Sequence, residues 1–444
     1  MFKKILIANR GEIALRVLRA AKELGVQVVV AYSQADENSL PALLADESIC
    51  IGPAPAKGSY MNIRNLLSAA ILTGTEAVHP GYGFLSENSE FAQKCEEHNL
   101  IFIGPRPQNI SQIGDKASAR AIAVEAGVPV TPGSSPFSRI EDAHDMANAI
   151  GYPIMLKASA GGGGRGMRIV RTPDQLQVNI QNAQEEARIS FGNSEIYMER
   201  FLENLKHVEI QIFGDGKGEV LHFYDRDCSI QRRYQKIIEE APSIGSLEVR
   251  EAMAQAAVRL AKHIKYRGAG TCEFLVDGNG RFYFSEMNTR IQVEHPVTEM
   301  ITGFDLVQEQ FRVAAGLGLS ISQKNINPVG HAIEVRINAE DPSKSFRPCP
   351  GKITDLHWPG GPGIRVDSHA YAGYSIPPNY DSLIAKVIAW APTRGQAIAR
   401  MRRALKETVI EGVETSIPFH LKVIDNEYFQ RGEINTDFIE RRME

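Results

Sequence analysis

The sequence predicts an α/β chain over its first quarter and α+β structure after it, and three observations predict this. Short apolar runs alternate with helical patterns over residues 1–113, a glycine run at 161–164 lies between two strand-like stretches, and from about 204 the extended runs are joined by tight turns. Alternation of strand and helix favours parallel strands with crossover helices, whereas tight turns join antiparallel neighbours.

In order, the first unit reads KKILIA, EIALRVLRAAKELG, VQVVVAY, ICIG, EAVHP and LIFIGP. In its first helix Ile13, Val17, Leu18, Ala21 and Leu24 form an apolar stripe, and Arg16, Arg19 and Lys22 fall outside it, so all three are expected in solvent. Gly11 begins that helix, where it suits either a plain turn or an anion at the helix N-terminus. The proline-bearing stretch VPVTPGSSPFSR (128–139) marks a boundary. A small unit at 130–203 follows, with a helix and a strand pair around the glycine run. Residues 204–444 form the last unit, whose turns include GDGKG (214–218) and DGNG (277–280), and the basic helix TRGQAIARMRRALKE (393–407) reads as a solvated face.

Composition narrows the function. A length of 444 residues suits two or three domains, and a net charge of -4 gives no case for nucleic acid or an anionic membrane. Five scattered cysteines without paired spacing argue against disulfides or zinc and for a reducing compartment. The first ten residues carry no leader-like apolar stretch, and no run approaches the roughly 20 apolar residues that span a bilayer, so a cytoplasmic location is expected.

Residues 285–296 read SEMNTRIQVEHP, with Glu286, Asn288, Arg290, Gln292 and Glu294 on every second position. In an extended chain these share one face, a wall of possible metal ligands, an anion-binding guanidinium and a spare carboxylate. A hairpin around DGNG that pairs Val276 with Arg281 sets Glu273 opposite Phe284 and diagonal to Glu286. Two glutamates about 7–8 Å apart at Cβ can close on a hard divalent cation, with Asn288 adding a neutral oxygen. The run KASAGGGGRGMR (157–168) lies between apolar strands and so forms a hairpin tip able to wrap phosphates, with Lys157 at its base. No Walker A sequence occurs, and a strand follows where a dinucleotide fold needs a helix. In DRDCSIQRRYQKIIEEAP (225–242), dense charge usually means compensating pairs in solvent; Lys236 is the residue there best suited to hold a small anion. His79, His207 and His295 each read singly as structural.

NRGEIA (9–14), HPGYGFLSEN (79–88), GDK (114–116), KASAGGGGRGM (157–167), EEAPS (239–243), EMNTRIQVEHPVTEM (286–300) and RINAEDP (336–342) together resemble the biotin carboxylases over essentially the whole chain. The resemblance implies an ATP-grasp fold with an N-terminal, Rossmann-like preATP-grasp domain (1–113), a mobile lid domain (130–203) and a C-terminal mixed domain (204–444) that completes the nucleotide cleft. It implies an ATP-dependent ligase that makes carboxyphosphate from ATP and bicarbonate and carboxylates biotin on a carrier protein. Lys116, Lys157 and the lid glycines Gly161, Gly162, Gly163 and Gly164 are then nucleotide phosphate contacts, with Glu199, Arg200, Phe201, Leu202, His207, Gln231 and Tyr234 around the adenosine. Glu273 and Glu286 join Asn288 as the set for Mg2+ or Mn2+. Lys236, Arg290, Gln292 and the Val293 backbone match the bicarbonate contacts, Glu294 the general base, and Arg336 with Tyr82 the biotin side. Tyr234 stands where many relatives have histidine, Arg200 where lysine is frequent, and Cys349 where serine is common.

No Met-Lys-Met biotin attachment motif occurs, so biotin is expected on a separate biotin carboxyl carrier protein, with carboxyltransferase subunits as further partners and a homodimer as the common assembly of relatives. Acetyl-CoA carboxylase is the leading context, and a split pyruvate or other acyl-CoA carboxylase is the alternative. An ATP-grasp carboxylate–amine ligase would share the lid and metal carboxylates but not Arg290, Gln292, Val293, Glu294 and Arg336. A nucleotide sensor would have lost Glu294 or Arg290.

Overall fold

The computed structural model describes residues 1–139, 143–159 and 167–443. The lid glycines Gly161, Gly162, Gly163 and Gly164 lie outside the described residues. Strands β1 (Lys4–Ile7), β2 (Gln27–Tyr32), β3 (Glu47–Cys50), β4 (Ala77–His79) and β5 (Ile101–Phe102) make a parallel sheet of order β3-β2-β1-β4-β5. Runs such as ILI and VVVA are buried along nearly their whole length, as strands covered on both faces by helices require. The helix Gly11–Glu23 begins at Gly11 with φ +68°, a left-handed conformation that a side chain would strain.

A smaller sheet of order β7-β6-β8 follows, from β6 (Ile154–Ala158), β7 (Arg168–Val170) and β8 (Ile196–Arg200), all antiparallel. The helix Leu176–Phe191 covers it through Leu176, Ile180, Ala183 and Ala187. The largest sheet has eight strands. β9 (Lys206–Asp215), β10 (Val220–Arg232), β11 (Gln235–Ala241), β12 (Arg267–Val276), β13 (Phe282–Asn288) and β14 (His331–Asn338) join the strands Leu383–Ala391 and Ile364–Ser368. The order is β13-β12-β9-β10-β11-β14, then Leu383–Ala391 and Ile364–Ser368, antiparallel throughout. One apolar cluster ties this sheet to the first unit. Ile5, Ile7 and Ile13 pack in it with Phe213, Phe223, Ile291 and Phe311.

Two sequence expectations fail here for physical reasons. Arg16 is not solvated: the helix that carries it packs against the chain after β13, and its Nη2 reaches Glu299 at 2.9 Å and Asp305 at 2.7 Å. Arg394 likewise leaves the basic face of its helix, Arg394–Glu407, to pair with buried Glu240 at 2.6 Å. A buried ion pair loses more when one partner is removed than a surface pair ever contributes. Arg16→Met is therefore expected to lower unfolding free energy by about 3 kcal/mol; a denaturation midpoint equal to that of the unaltered chain would contradict the buried pairing.

Candidate active site

The site grows from the hairpin of β12 and β13. Its register is Val276 with Phe282, Phe274 with Phe284, and then, across a bulge at Ser285, Glu273 with Glu286. This corrects the expected pairing of Val276 with Arg281: the turn takes one residue more, and the bulge restores the face, setting the two glutamates directly opposite rather than diagonal. The wall beyond is also not one extended strand. β13 ends at Asn288, bends follow at Thr289 and Arg290, and a helix starts at His295.

The alternate side chains still converge, because buried hydrogen bonds replace the ladder. Asn288 Nδ2 donates to Glu273 Oε1 at 2.8 Å and Gln292 Nε2 donates to the same oxygen at 2.9 Å. Arg290 Nη2 donates to Asn288 Oδ1 at 2.9 Å, while its Nε donates to Glu87 Oε2, also at 2.9 Å. The Lys236 ammonium, on β11, donates to Glu209 Oε2 at 2.5 Å, Glu273 Oε1 at 2.8 Å and Glu294 Oε1 at 2.8 Å. Beneath it lies Arg226, wholly buried on β10, which donates to Glu209 at 2.5 Å, Gln211 at 2.8 Å, Thr298 at 2.9 Å and Gln292 at 2.9 Å. Arg336, on β14, donates through Nε to Glu239 at 2.7 Å and through Nη2 to Glu294 Oε2 at 3.0 Å. The segment 225–242 is thus no solvated charge run: Arg226, Asp227, Glu239 and Glu240 are buried on a sheet face.

These contacts set the charges. Burial alone would raise Glu294, but Lys236, Arg336 and Arg226 outweigh it and hold the carboxylate far below its ordinary range. Burial would lower Lys236, and its three carboxylates raise it well above the usual lysine value. Glu273 is likewise held down against burial by Lys236 and by His207, whose Nε2 lies 2.9 Å from Glu273 Oε2. Glu239 goes the other way. Buried and sharing one guanidinium with Glu294, it is raised from 4.5 to about 7. Glu286 is also raised, by desolvation between the cleft walls and by Glu273 across the hairpin.

Of the other expected residues, Lys116 Nζ comes to 3.7 Å from Glu286, and Lys157 bonds Glu199, which Arg120 also holds at 3.0 Å. Arg200, Phe201 and Leu202 follow directly, with the amides of Arg200 and Phe201 donating to the carbonyls of Pro132 and Pro153. Gln231 Nε2 donates to the Cys228 carbonyl at 2.9 Å. Tyr234 stands apart, 68% exposed at the β10–β11 turn. The Val293 carbonyl accepts from Lys386, and the Tyr82 hydroxyl donates to Glu12. Cys349 is part-exposed and unpaired. His79, pushed down to about 3 by burial, is fully buried, and so is His295, also pushed down by burial, whose Nδ1 lies 2.8 Å from the Gln292 carbonyl.

Glu209, Gln211, Arg226 and Glu87 are site residues that the sequence reading missed. A signal existed for the first two: His207, Glu209 and Gln211 alternate with Val208, Ile210 and Ile212 along β9, the polar face of an otherwise apolar strand. Ligand atoms of His207, Glu209 and Glu273, and of Glu209, Cys228 and Glu294, gather within 4.8 Å of one another. Lys236 already supplies positive charge to both groups. Of the expected metal set, Glu273 and Asn288 are buried and bonded, and Glu286 is the member open to the cleft, with 42% of its side chain exposed.

Three family models match the chain: "Biotin carboxylase, N-terminal domain" over residues 1–110, "Carbamoyl-phosphate synthase L chain, ATP binding domain" over 115–322 and "Biotin carboxylase C-terminal domain" over 334–441. Biotin carboxylase 1 of Bacillus subtilis is 56% identical over 99% of this chain and 98% of its own. The chain belongs to the biotin carboxylase family. Its fold is the ATP-grasp fold of that family, and it is an ATP-dependent ligase. A pyruvate carboxylase subunit of Methanothermobacter thermautotrophicus is 53% identical over 99% of this chain and 90% of its own. The biotin carboxylase domain dimer of Hydrogenobacter thermophilus 2-oxoglutarate carboxylase, solved with MgADP, ADP and bicarbonate, is similar at 49% identity and TM-score 0.94, covering all of this chain and 98% of that one. Among the described residues no helix is long and apolar enough to cross a membrane.

The Glu239–Arg336–Glu294 arrangement gives the biotin carboxylase site a pH signature. Glu239, raised from 4.5 to about 7, favours the native state fully below its unfolded value and loses that contribution as pH rises through about 7. Glu294, held down, contributes in the opposite sense, above the ordinary carboxylate range. The urea midpoint of the unaltered chain, measured against Glu239→Gln, should therefore fall between about pH 5 and about pH 7.5; a constant difference across that window would contradict a Glu239 carboxyl raised by burial.

Proposed function

We propose that this chain carboxylates N1′ of biotin on a carrier protein, using ATP and bicarbonate through carboxyphosphate. The observation that carries the proposal is the convergence of Lys236, Arg290 and Gln292 beside Glu294, with Arg336 on the far side of that same carboxylate. Lys236, Arg290, Gln292 and the Val293 backbone would gather bicarbonate. Glu294, ionised and within reach, would take its proton as a bicarbonate oxygen bonds to the γ-phosphorus and the bond to the ADP oxygen breaks. The bond from the carboxyl carbon to the phosphate oxygen then breaks as that carbon bonds to N1′ of biotin, and the N1′ proton leaves with the departing phosphate. Arg336 would stabilise the enolate-like ureido oxygen, with Tyr82 beside it.

Glu273, Glu286 and Asn288 would hold Mg2+ or Mn2+, which would supply positive charge against the phosphates. The residues fit that ion through the exposed Glu286 carboxylate, with Glu273, held at present by Lys236 and His207, opposite it across the hairpin and Lys116 3.7 Å away. Lys116, Lys157 and the lid glycines would meet the phosphates, and Glu199 to Leu202, His207, Gln231 and Tyr234 the adenosine.

The Hydrogenobacter relative's dimer and its bicarbonate support a homodimer with the same reactants. The partners would be a biotin carboxyl carrier protein and carboxyltransferase subunits, in acetyl-CoA carboxylase and so in fatty-acid synthesis. A split pyruvate carboxylase is a second reading, favoured by the Methanothermobacter relative. All five cysteines are unpaired, which suits a cytoplasmic setting.

Two variants separate the half-reactions. Glu294→Gln should keep ATP binding and lose roughly 10²–10⁴-fold in turnover, whereas Arg336→Ala should lose carboxybiotin formation more than bicarbonate-dependent phosphate release. Near-normal turnover by the first, or equal losses by the second, would overturn these roles.

A further inference from the structure

The turn that carries Glu294 is held from behind by buried charge that reaches Tyr82. Lys386, on the strand Leu383–Ala391 and without exposed surface, donates to the Val293 carbonyl at 2.8 Å and lies 3.1 Å from Glu12 Oε1. Glu12, in the first turn of the helix Gly11–Glu23, accepts the hydrogen bond of the Tyr82 hydroxyl. Asp367, another acid near Lys386 at 3.9 Å, is already held by both arms of Arg365 at 2.8 and 2.7 Å, and buried Glu334 on β14 also feels the Lys386 charge. Glu12 is therefore the nearer anion of this ammonium. Four segments distant in sequence meet in a run of four groups: Tyr82, Glu12, Lys386 and the peptide joining Val293 to Glu294.

That peptide sets where the Glu294 side chain begins. Its carbonyl is pinned by Lys386, and the carbonyl of Gln292 before it is pinned by His295 Nδ1 at 2.8 Å. Packing alone does not explain a buried lysine and glutamate here, because apolar replacements of such pairs are often neutral or stabilising. We propose that Lys386 and Glu12 are positioning residues that tie the Glu294 turn to Tyr82, so that biotin docking against Tyr82 sets the bicarbonate-side geometry. Neither touches a reactant. The inference rests on the biotin carboxylase reading above, which puts Tyr82 on the biotin side and Glu294 on the bicarbonate side.

The test measures bicarbonate-dependent ADP release by the full chain with and without free biotin, and takes the ratio of the two rates. The amount of folded protein cancels from that ratio, so a merely structural role leaves it unmoved. Lys386→Met and Glu12→Gln are measured singly and together, the double variant removing both members of the pair. The double variant should lower the ratio on the order of tenfold, as typical for coupling between two sites. An unchanged ratio overturns the inference. Tyr82→Phe removes only the hydroxyl that Glu12 accepts; should the buried variants fail to fold, it must lower the ratio in the same direction, and an unchanged ratio again overturns the inference. No biotin stimulation in the unaltered chain would instead overturn the functional reading beneath it.

Discussion

One ammonium among three buried carboxylates is the constraint on which the site depends. Lys236 bonds Glu209, Glu273 and Glu294 at once, and those acids come from three different places: β9, β12 and the turn after β13. Three like charges brought together out of water repel unless a cation is shared among them. The ammonium, with Arg226 below it, therefore fixes the spacing of the strands' polar face as much as the backbone ladder does. The neutral amides of Asn288 and Gln292 then close on the Glu273 oxygen that Lys236 already holds.

The same sharing divides the acids by role. Glu294 feels three cations, Lys236, Arg336 and Arg226, and stays ionised; Glu239, buried and bonded to Arg336, is the one pushed up to about 7. A carboxylate pressed this hard by cations is a weak base until something competes for them. An anion bonding Lys236 and Arg290 would compete in just that way, so under the proposed roles the groups that would gather bicarbonate would also free the base. Arg290 is poised for such an exchange, since its present partner Glu87 is a part-exposed acid from the first unit.

Much of this was legible in the sequence. The five parallel strands of the first unit and the antiparallel character of the last follow from apolar runs and turn residues, and period-2 spacing picked out Glu286, Asn288, Arg290, Gln292 and Glu294. Those five do not converge as one extended strand: past Asn288 they meet through hydrogen bonds in bends, which no strand periodicity encodes. The bulge at Ser285 could not be read either, because a one-residue slip leaves the same residues and moves only their partners. Arg16, Arg226 and Arg394 read as solvated because local pattern carries no information on acids from distant strands. The alternation of His207, Glu209 and Gln211 was there to be read.

The central claim is that the Lys236 cluster is a bicarbonate site whose base is Glu294. A crystal structure of the chain with MgADP and bicarbonate tests it most directly. The anion should be bonded to Lys236, Arg290 and Gln292, with one oxygen in hydrogen-bond contact with Glu294. Bicarbonate bound away from this cluster, with Lys236 still closed on its three carboxylates, would contradict it.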